Sequence, residues 1–140
     1  MFKCFQRSKN ANVPKILIVD DEPDYVSTIR SRLEWNNYKV ITASNGKEGL
    51  DQASAEKPDL ILLDTSMPVM NGHEMLKHLH QHPDLQQIPV IMVTALCEMQ
   101  DIEEASRLGI ADYVAKPFDS VELVAKIANV LKEKPLKTEK

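Results

Sequence analysis

The sequence predicts an α/β fold, in which a doubly wound parallel sheet of five strands carries helices on both faces. Five short apolar runs alternate with longer segments of helical periodicity along the chain, and this alternation is typical of βα units. Two of the runs, residues 16–19 and 60–63, are apolar throughout, as strands buried on both faces must be. At 140 residues the chain has the size of one ordinary domain.

The first half of the chain predicts three strands and two helices. Residues 16–19 form the first strand, and Pro23 then lies where the first turn of a helix tolerates proline. This helix should bury one face, because apolar residues recur at helical spacing up to Trp35. They are Val26, Ile29 and Leu33. The next elements are a strand over residues 38–43, a helix over 46–55 and a strand over 60–63.

The second half predicts three helices and two strands. The first helix begins at Gly72 and ends near His80, and the fourth strand spans residues 89–94. The second helix should end at Gly109, a typical C-terminal stop. Its apolar face comprises Ile102, Ala105 and Leu108. Residues 113–115 predict a short fifth strand, and Ser120 is the expected cap of a last helix, with Glu122 in its first turn. The apolar face of that helix comprises Leu123, Ile127, Val130 and Leu131.

Charge is unevenly distributed along the chain. We expect residues 1–13 to be a flexible basic leader, residues 14–132 to be one folded domain, and residues 133–140 to be a polar tail or the start of a linker. Residues 16–131 hold 9 basic against 19 acidic side chains, a formal charge of −10. Because proteins that bind duplex nucleic acid normally show a clustered basic face, the sequence disfavours direct nucleic-acid binding.

The sequence carries no signal for export or for a membrane span. No apolar run approaches the roughly 20 residues that a spanning helix needs, and the N-terminus lacks the apolar stretch of a secretory signal. Cys4 and Cys97 are too few and too far apart for a disulfide framework or a zinc site. We expect a cytoplasmic protein. Phe2, Cys4 and Phe5 leave a short membrane-surface segment open, although a disordered leader fits that length better.

Polar side chains stand at the ends of four of the five predicted strands. They are Asp20 and Asp21 after the first, Asp64 after the third, Thr94 at the end of the fourth and Lys116 after the fifth. Because parallel strands point their carboxyl ends the same way, these side chains should converge on one shallow pocket. A single aspartate at a strand end is usually a helix cap or turn former. The convergence is what predicts chemistry.

Three crowded carboxylates repel one another unless a cation lies among them. Oxygen ligands of high negative charge select a hard ion, and Mg²⁺ is usually held by one or two carboxylates, waters and phosphate oxygens. Lys116 adds a positive charge for the same phosphate, and Thr94 adds a hydroxyl donor. A carboxylate at the centre of the pocket can then act as the nucleophile and form an aspartyl phosphate, and an ionised carboxylate needs no strong general base.

Four sequence segments resemble the receiver domain of bacterial two-component response regulators. They follow the order and spacing of that family across residues 14–132, and they are residues 19–22 (VDDE), 63–72 (LDTSMPVMNG), 93–95 (VTA) and 111–118 (ADYVAKPF). The resemblance implies a flavodoxin-like sheet of strand order 2-1-3-4-5. It also implies a relay that accepts a phosphoryl group on Asp64 from a histidine kinase or a histidine phosphotransfer protein. Such a protein assists its own phosphorylation and slow dephosphorylation but is not a turnover enzyme.

The resemblance assigns roles to individual residues. Asp21, Asp64 and the backbone carbonyl of Ser66 would bind the magnesium ion, and Asp20 would act through a metal-bound water. Thr94 and Lys116 would hold the phosphoryl oxygens. Tyr113 would report the phosphorylated state by turning inward, and the Lys116–Pro117 bond is similar to one that is cis in receivers.

The resemblance further implies an output surface and a phosphoryl lifetime. A downstream effector or a second copy of the chain would bind to the last helix pair and the fifth strand, beside Tyr113 and Lys116. No separate output domain is expected after residue 140. Some family members carry acidic or amide groups at the positions of Ser66 and Leu96, where they position the attacking water. Leu96 cannot do so, which predicts a long-lived phosphoryl group that Leu96→Glu shortens.

Two other functions compete with this prediction. A constitutive adaptor would keep the fold without phosphorylation, but the acid pair, Thr94 and Lys116 argue against it. A magnesium-dependent phosphohydrolase would usually carry a second Asp two residues after its nucleophile, and Ser66 holds that position. His78 and His82, one helical turn apart, invite a metal site, although a solvated helix face explains them better.

Overall fold

A computed structural model describes residues 13–65, 67, 69–95, 103, 106–107, 109–116 and 119–133. Its strands are β1 (Lys15–Val19), β2 (Lys39–Ala43), β3 (Leu60–Asp64), β4 (Val90–Ala95) and β5 (Asp112–Lys116). They form one sheet in the order β2-β1-β3-β4-β5, and each neighbouring pair is parallel. The predicted parallel sheet and its strand order are therefore confirmed.

Four helices are complete within the described residues. They are α1 (Pro23–Trp35), α2 (Gly46–Glu56), α3 (Gly72–Gln81) and α4 (Ser120–Glu133). The helix predicted from Ile102, Ala105 and Leu108 lies largely outside the described part of the chain, although residues 103, 106 and 107 are helical. None of the described helices is long and apolar enough to cross a membrane.

The helices cover both faces of the sheet, and each face has its own core. On one face, Leu17 and Leu63 pack with Ala53 of α2 and with Met75 of α3. On the other face, Ile18 and Leu62 pack with residues of α1 and α4, which are Ile29, Leu33, Leu123, Ile127 and Val130. A fully buried side chain of this kind contributes about 1.5–3 kcal/mol. The near-continuous apolar runs of the central strands follow from this burial on two sides.

The strand pairing brings the carboxyl ends of the strands to one edge of the sheet. Val19 of β1 lies beside Leu63 of β3, and Asp64 lies beside Val93 of β4. Lys116, the last residue of β5, pairs with Ala95. Side chains at these ends are therefore the ones that can meet.

Short polar residues fix where the helices begin. The Asn71 side chain accepts the Glu74 N–H at 2.9 Å, and the Glu74 carboxylate accepts the Asn71 N–H at 3.0 Å, which makes a capping box before α3. The prediction that Ser120 caps the last helix is wrong. Ser120 already has helical backbone and so is not at the capping position, and Asp119 Oδ1 accepts the Val121 N–H at 3.1 Å instead.

Candidate functional site

Three carboxylates meet at the carboxyl ends of β1 and β3. Asp20 and Asp21 directly follow β1, and Asp64 ends β3, the neighbouring strand. One carboxylate oxygen from each residue lies within 4.8 Å of the others. Asp20 and Asp64 are only 5% and 6% exposed, whereas Asp21 is exposed. Two of the three negative charges are thus removed from water.

The ammonium of Lys116, at the end of β5, lies among these carboxylates. Its Nζ is 3.3 Å from Asp64 Oδ1 and 3.7 Å from Asp20 Oδ2. A third carboxylate, that of Glu22, lies 4.0 Å away. The side chain of Lys116 therefore reaches across the end of β4 to bring one positive charge to a strongly negative site.

Burial and neighbouring charges shift the pKa values of these groups. The pKa of Asp64 is raised to about 6, mainly because the carboxyl is buried and also because Asp20 lies beside it, while Lys116 opposes the rise. Burial also raises the pKa of Asp20, against the hydrogen bond from the Glu22 N–H and the charge of Lys116. Burial alone would lower the pKa of Lys116, but Asp64 and Asp20 raise it, so the ammonium stays charged at neutral pH.

Backbone hydrogen bonds hold the segment that follows β3. The Thr65 N–H donates to the Val93 carbonyl at 3.1 Å, and the Gly72 N–H donates to the Thr65 carbonyl at 3.1 Å. Gly72 approaches β3 so closely that a Cβ at this position would overlap the carbonyl oxygen of Asp64. Ser66, whose carbonyl is a predicted metal ligand, lies outside the described residues.

Thr94 and Tyr113, the two predicted switch residues, differ in exposure. Thr94 lies in β4 opposite Ala115 and is 1% exposed. Tyr113 lies in β5 and is 39% exposed, with the Lys126 Nζ 5.7 Å from the centre of its ring. Tyr113 therefore faces solvent in this state. Its inward turn, and the contact of Thr94 with a phosphoryl group, stay predictions.

Two residues of the site, Glu22 and Tyr25, were not predicted as functional. Glu22 is one of the acidic partners of Lys116. The Lys116 Nζ also lies 4.6 Å from the centre of the Tyr25 ring. The sequence does hold a signal for Tyr25, since it precedes Ile29 by four residues and so lies on the same face of α1 as this core residue.

The family model of the response regulator receiver domain matches residues 16–128, most of the chain and all of the site described above. The chain belongs to this family. Receiver domains are phosphoacceptor switches and not enzymes in the usual sense, and the resemblance of the four sequence segments is confirmed.

The receiver domain is similar to curated proteins and to solved structures. It is 42% identical over 118 residues to the alkaline phosphatase synthesis transcriptional regulatory protein PhoP of Bacillus subtilis. The aligned region covers 84% of the chain and 48% of that protein. A signal receiver domain of a signal transduction histidine kinase from Syntrophus aciditrophicus superposes with a TM-score of 0.82 at 32% identity, over 91% of the chain and 96% of that structure. A CheY-like response regulator receiver domain protein from Methanospirillum hungatei superposes with a TM-score of 0.81 at 31% identity, over 88% and 97%.

The chain spans about half the length of the curated relatives that it matches first. It covers nearly all of the solved receiver structures. The likeness to the curated proteins is therefore a likeness of one domain.

The carboxylate donors fit a hard divalent cation. They offer only oxygen ligands and carry more negative charge than Lys116 neutralises, which is the donor set that magnesium selects. Within the part of the chain that the structure describes, this is the only group of three or more side chains that could hold a metal. His78 and His82, the histidine alternative, are exposed and belong to no such group.

Proposed function

We propose that Asp64 accepts a phosphoryl group from a phosphohistidine, and that its phosphorylation switches a partner-binding surface. The donor would be a histidine kinase or a histidine phosphotransfer protein. The observation that carries the proposal is the buried carboxylate of Asp64, with an ammonium 3.3 Å from one oxygen and two further carboxylates beside it. Membership of the receiver family supports the same role.

The transfer is a displacement at phosphorus. An oxygen of the ionised Asp64 attacks, an O–P bond forms, the P–N bond of phosphohistidine breaks, and the electron pair of that bond stays on the histidine nitrogen. A pKa of about 6 leaves most of the Asp64 side chains ionised at neutral pH, so no general base is required. Lys116 offsets the charge of the incoming phosphoryl oxygens, and the buried site strengthens that attraction. The chain thereby assists its own phosphorylation, and its slow dephosphorylation belongs to the same proposal.

Asp20, Asp21 and Asp64 would hold a magnesium ion in this proposal, and the backbone carbonyl of Ser66 is the further ligand expected from the sequence. When bound, the ion supplies Lewis-acid stabilisation of the phosphoryl oxygens. Oxygens of Asp20 and Asp64 lie within 4.8 Å of each other. With the ion bound, Lys116 would no longer be the only positive charge that offsets their negative charges. That would leave the ammonium available to the phosphoryl group.

The switch requires more than one contact. Moving a conformational equilibrium from 1:99 to 99:1 takes about 5.5 kcal/mol, while one charge-assisted hydrogen bond contributes about 1.5–3 kcal/mol. Thr94 cannot supply this alone, so the Lys116 contact and an inward turn of Tyr113 would share the work. The output surface would be β5 with the helices beside it, and it would bind an effector protein or a second copy of the chain.

The setting of the domain is part of the proposal. We take residues 14–132 as the receiver, with a basic leader over residues 1–13 and a polar segment over residues 133–140, acting in the cytoplasm. The family match over residues 16–128 supports these limits.

Labelling with acetyl phosphate tests the proposal without knowledge of the kinase. The protein should gain one acid-stable, base-labile phosphoryl group in the presence of magnesium, and little in the presence of a chelator. Asp64→Ala should abolish labelling. Asp51→Asn, which removes an exposed carboxylate on α2, is the matched control and should be labelled at the rate of the unaltered chain. Magnesium binding without any labelling would favour the constitutive adaptor. Rapid turnover of acetyl phosphate without accumulation of phosphorylated protein would favour the phosphohydrolase.

A further inference from the structure

Tyr25 occupies a place in the site that the phosphotransfer chemistry does not by itself explain. It lies in the first turns of α1, four residues after Asp21. Its ring packs against the core on the α1 side of the sheet, and the Lys116 Nζ lies 4.6 Å from the centre of the ring. A residue of α1, the helix between β1 and β2, thus contacts the reactive lysine, which ends β5 at the other edge of the sheet.

The ring supplies a contact that the carboxylates cannot. The three carboxylate partners of Lys116 lie at 3.3, 3.7 and 4.0 Å. All three attract the ammonium, and these attractions alone allow it more than one position. A lysine head on four flexible carbons is a mobile point charge. The face of an aromatic ring attracts a cation from one fixed direction. The ring therefore favours one of the positions that the ammonium can take between the carboxylates.

Packing holds the ring itself in place. Beneath the carboxylates, the space between Tyr25 and its apolar neighbours Ile18, Leu62 and Val93 measures about 10 Å³. This is the lower limit for holding one water molecule. The ring therefore has little room to move away from Lys116.

We infer that Tyr25 is a positioning residue: its ring holds the Lys116 ammonium beside the oxygens of Asp64, where the ammonium meets the phosphoryl group as it arrives. This inference rests on the proposed phosphorylation of Asp64. It assigns the effect to the face of the ring and not to the hydroxyl group.

Substitutions at residue 25 separate the ring from its volume and its hydroxyl. Tyr25→Phe keeps the ring, whereas Tyr25→Leu and Tyr25→Met keep apolar volume without it. The initial rate of labelling by acetyl phosphate with magnesium should fall roughly threefold to tenfold in the Leu and Met variants, the range expected for loss of a cation–π contact. The Phe variant should be slowed far less.

Tyr38→Leu is the matched control for lost stability. Tyr38 packs against the same core but directly precedes β2. It therefore lies at the amino end of a strand, away from the carboxyl ends that form the site. It should lower the melting temperature as Tyr25→Leu does and leave the labelling rate unchanged. Equal rates in the unaltered, Leu and Met proteins would overturn the inference, as would a Phe variant as slow as the Leu variant. If Tyr25→Leu does not fold, Tyr25→Met decides. Absence of labelling in the unaltered protein would instead overturn the proposed function, and the inference with it.

Discussion

At the scale of single residues, Asp64 combines burial with negative charge, and this has a consequence for stability. Its pKa rises from 3.8 to about 6, so the folded protein keeps this proton at pH values where the unfolded chain has lost it. The contribution of Asp64 to stability is therefore greatest below the unfolded pKa and falls as the pH rises through this window. The loss is on the order of 3 kcal/mol once both states are ionised.

Asp64→Asn should remove this loss, because an amide cannot ionise. In metal-free buffer, the variant should gain stability relative to the unaltered protein as the pH rises from about 4 to about 7. Urea unfolding at a series of pH values measures the difference. Asp51→Asn is the control and should run parallel to the unaltered protein, since Asp51 is exposed. A constant difference between the Asp64→Asn and unaltered proteins across the range would contradict the account.

Val69 shows a second residue-scale effect, in the backbone. It is 75% exposed and has a φ angle of 68°, in the left-handed region that β-branched residues rarely adopt. Val69→Gly should therefore stabilise the protein by about 0.5–1 kcal/mol, the strain relieved less the entropy that glycine loses. Thermal unfolding measures the gain. Val121→Gly, at an exposed helical valine, should instead destabilise by about 0.3–0.5 kcal/mol, since valine is itself a poor helix former. A Val69→Gly variant that loses stability would refute the assignment of strain.

The sequence located most of the acidic site but not its aromatic partner. Asp20, Asp21, Asp64 and Lys116 are at strand ends, which periodicity identifies. Tyr25 lies within a helix, where its spacing from Ile29 indicates only a buried face. That its ring meets Lys116 depends on how α1 packs against β2 and α4, and no local pattern carries that information.

At the scale of elements, the contact between α3 and β3 depends on Gly72. Its N–H binds the Thr65 carbonyl, and its α-carbon lies against the Asp64 carbonyl. Gly72→Ala should destabilise the protein by about 1–3 kcal/mol, because backbone atoms cannot turn aside as a side chain does. Urea unfolding measures the loss.

Gly49→Ala is the matched control for this prediction. An added Cβ at Gly49 meets the flexible end of Met75, which can move, and lies 3.0 Å from Cγ2 of Val19. Unlike Gly72, it meets side chains and not backbone, and alanine also favours the helix by about 1 kcal/mol. Its net effect should therefore be smaller than that of Gly72→Ala. Equal losses at the two positions would contradict the close contact of α3 with β3.

The limits of the elements were predicted less well than their order. The alternation of apolar runs and helical segments predicts the order of strands and helices along the chain. The first and last residues of each strand depend on its pairing with the neighbouring strand. β5 was predicted over residues 113–115 but runs from Asp112 to Lys116, because these residues pair with Ile91 and Ala95 of β4. The cap at Asp119 was missed for a similar reason, since Asp119 and Ser120 are both good capping residues and only the path of the chain after β5 selects one.

At the scale of the whole molecule, metal binding should be coupled to folding. The cluster of Asp20, Asp21 and Asp64 forms only in the folded chain, because the three residues come from two strands. Magnesium at a hundredfold excess over its dissociation constant should stabilise the protein by about 2.7 kcal/mol. At pH 7.5, thermal unfolding with and without the ion measures this. The Asp20→Asn, Asp64→Asn double variant should lose the response, and Asp51→Asn should keep it. A melting temperature that does not depend on magnesium in the unaltered protein would contradict the site.

The central claim is that Asp64 is the residue that carries the phosphoryl group. The most direct measurement is to phosphorylate the protein with acetyl phosphate and magnesium, reduce the acyl phosphate with borohydride, and map the reduced residue by peptide mass spectrometry. The account predicts reduction at residue 64 alone. Reduction at Asp20 or Asp21, or a phosphoryl group on a histidine or a hydroxyl side chain, would contradict it.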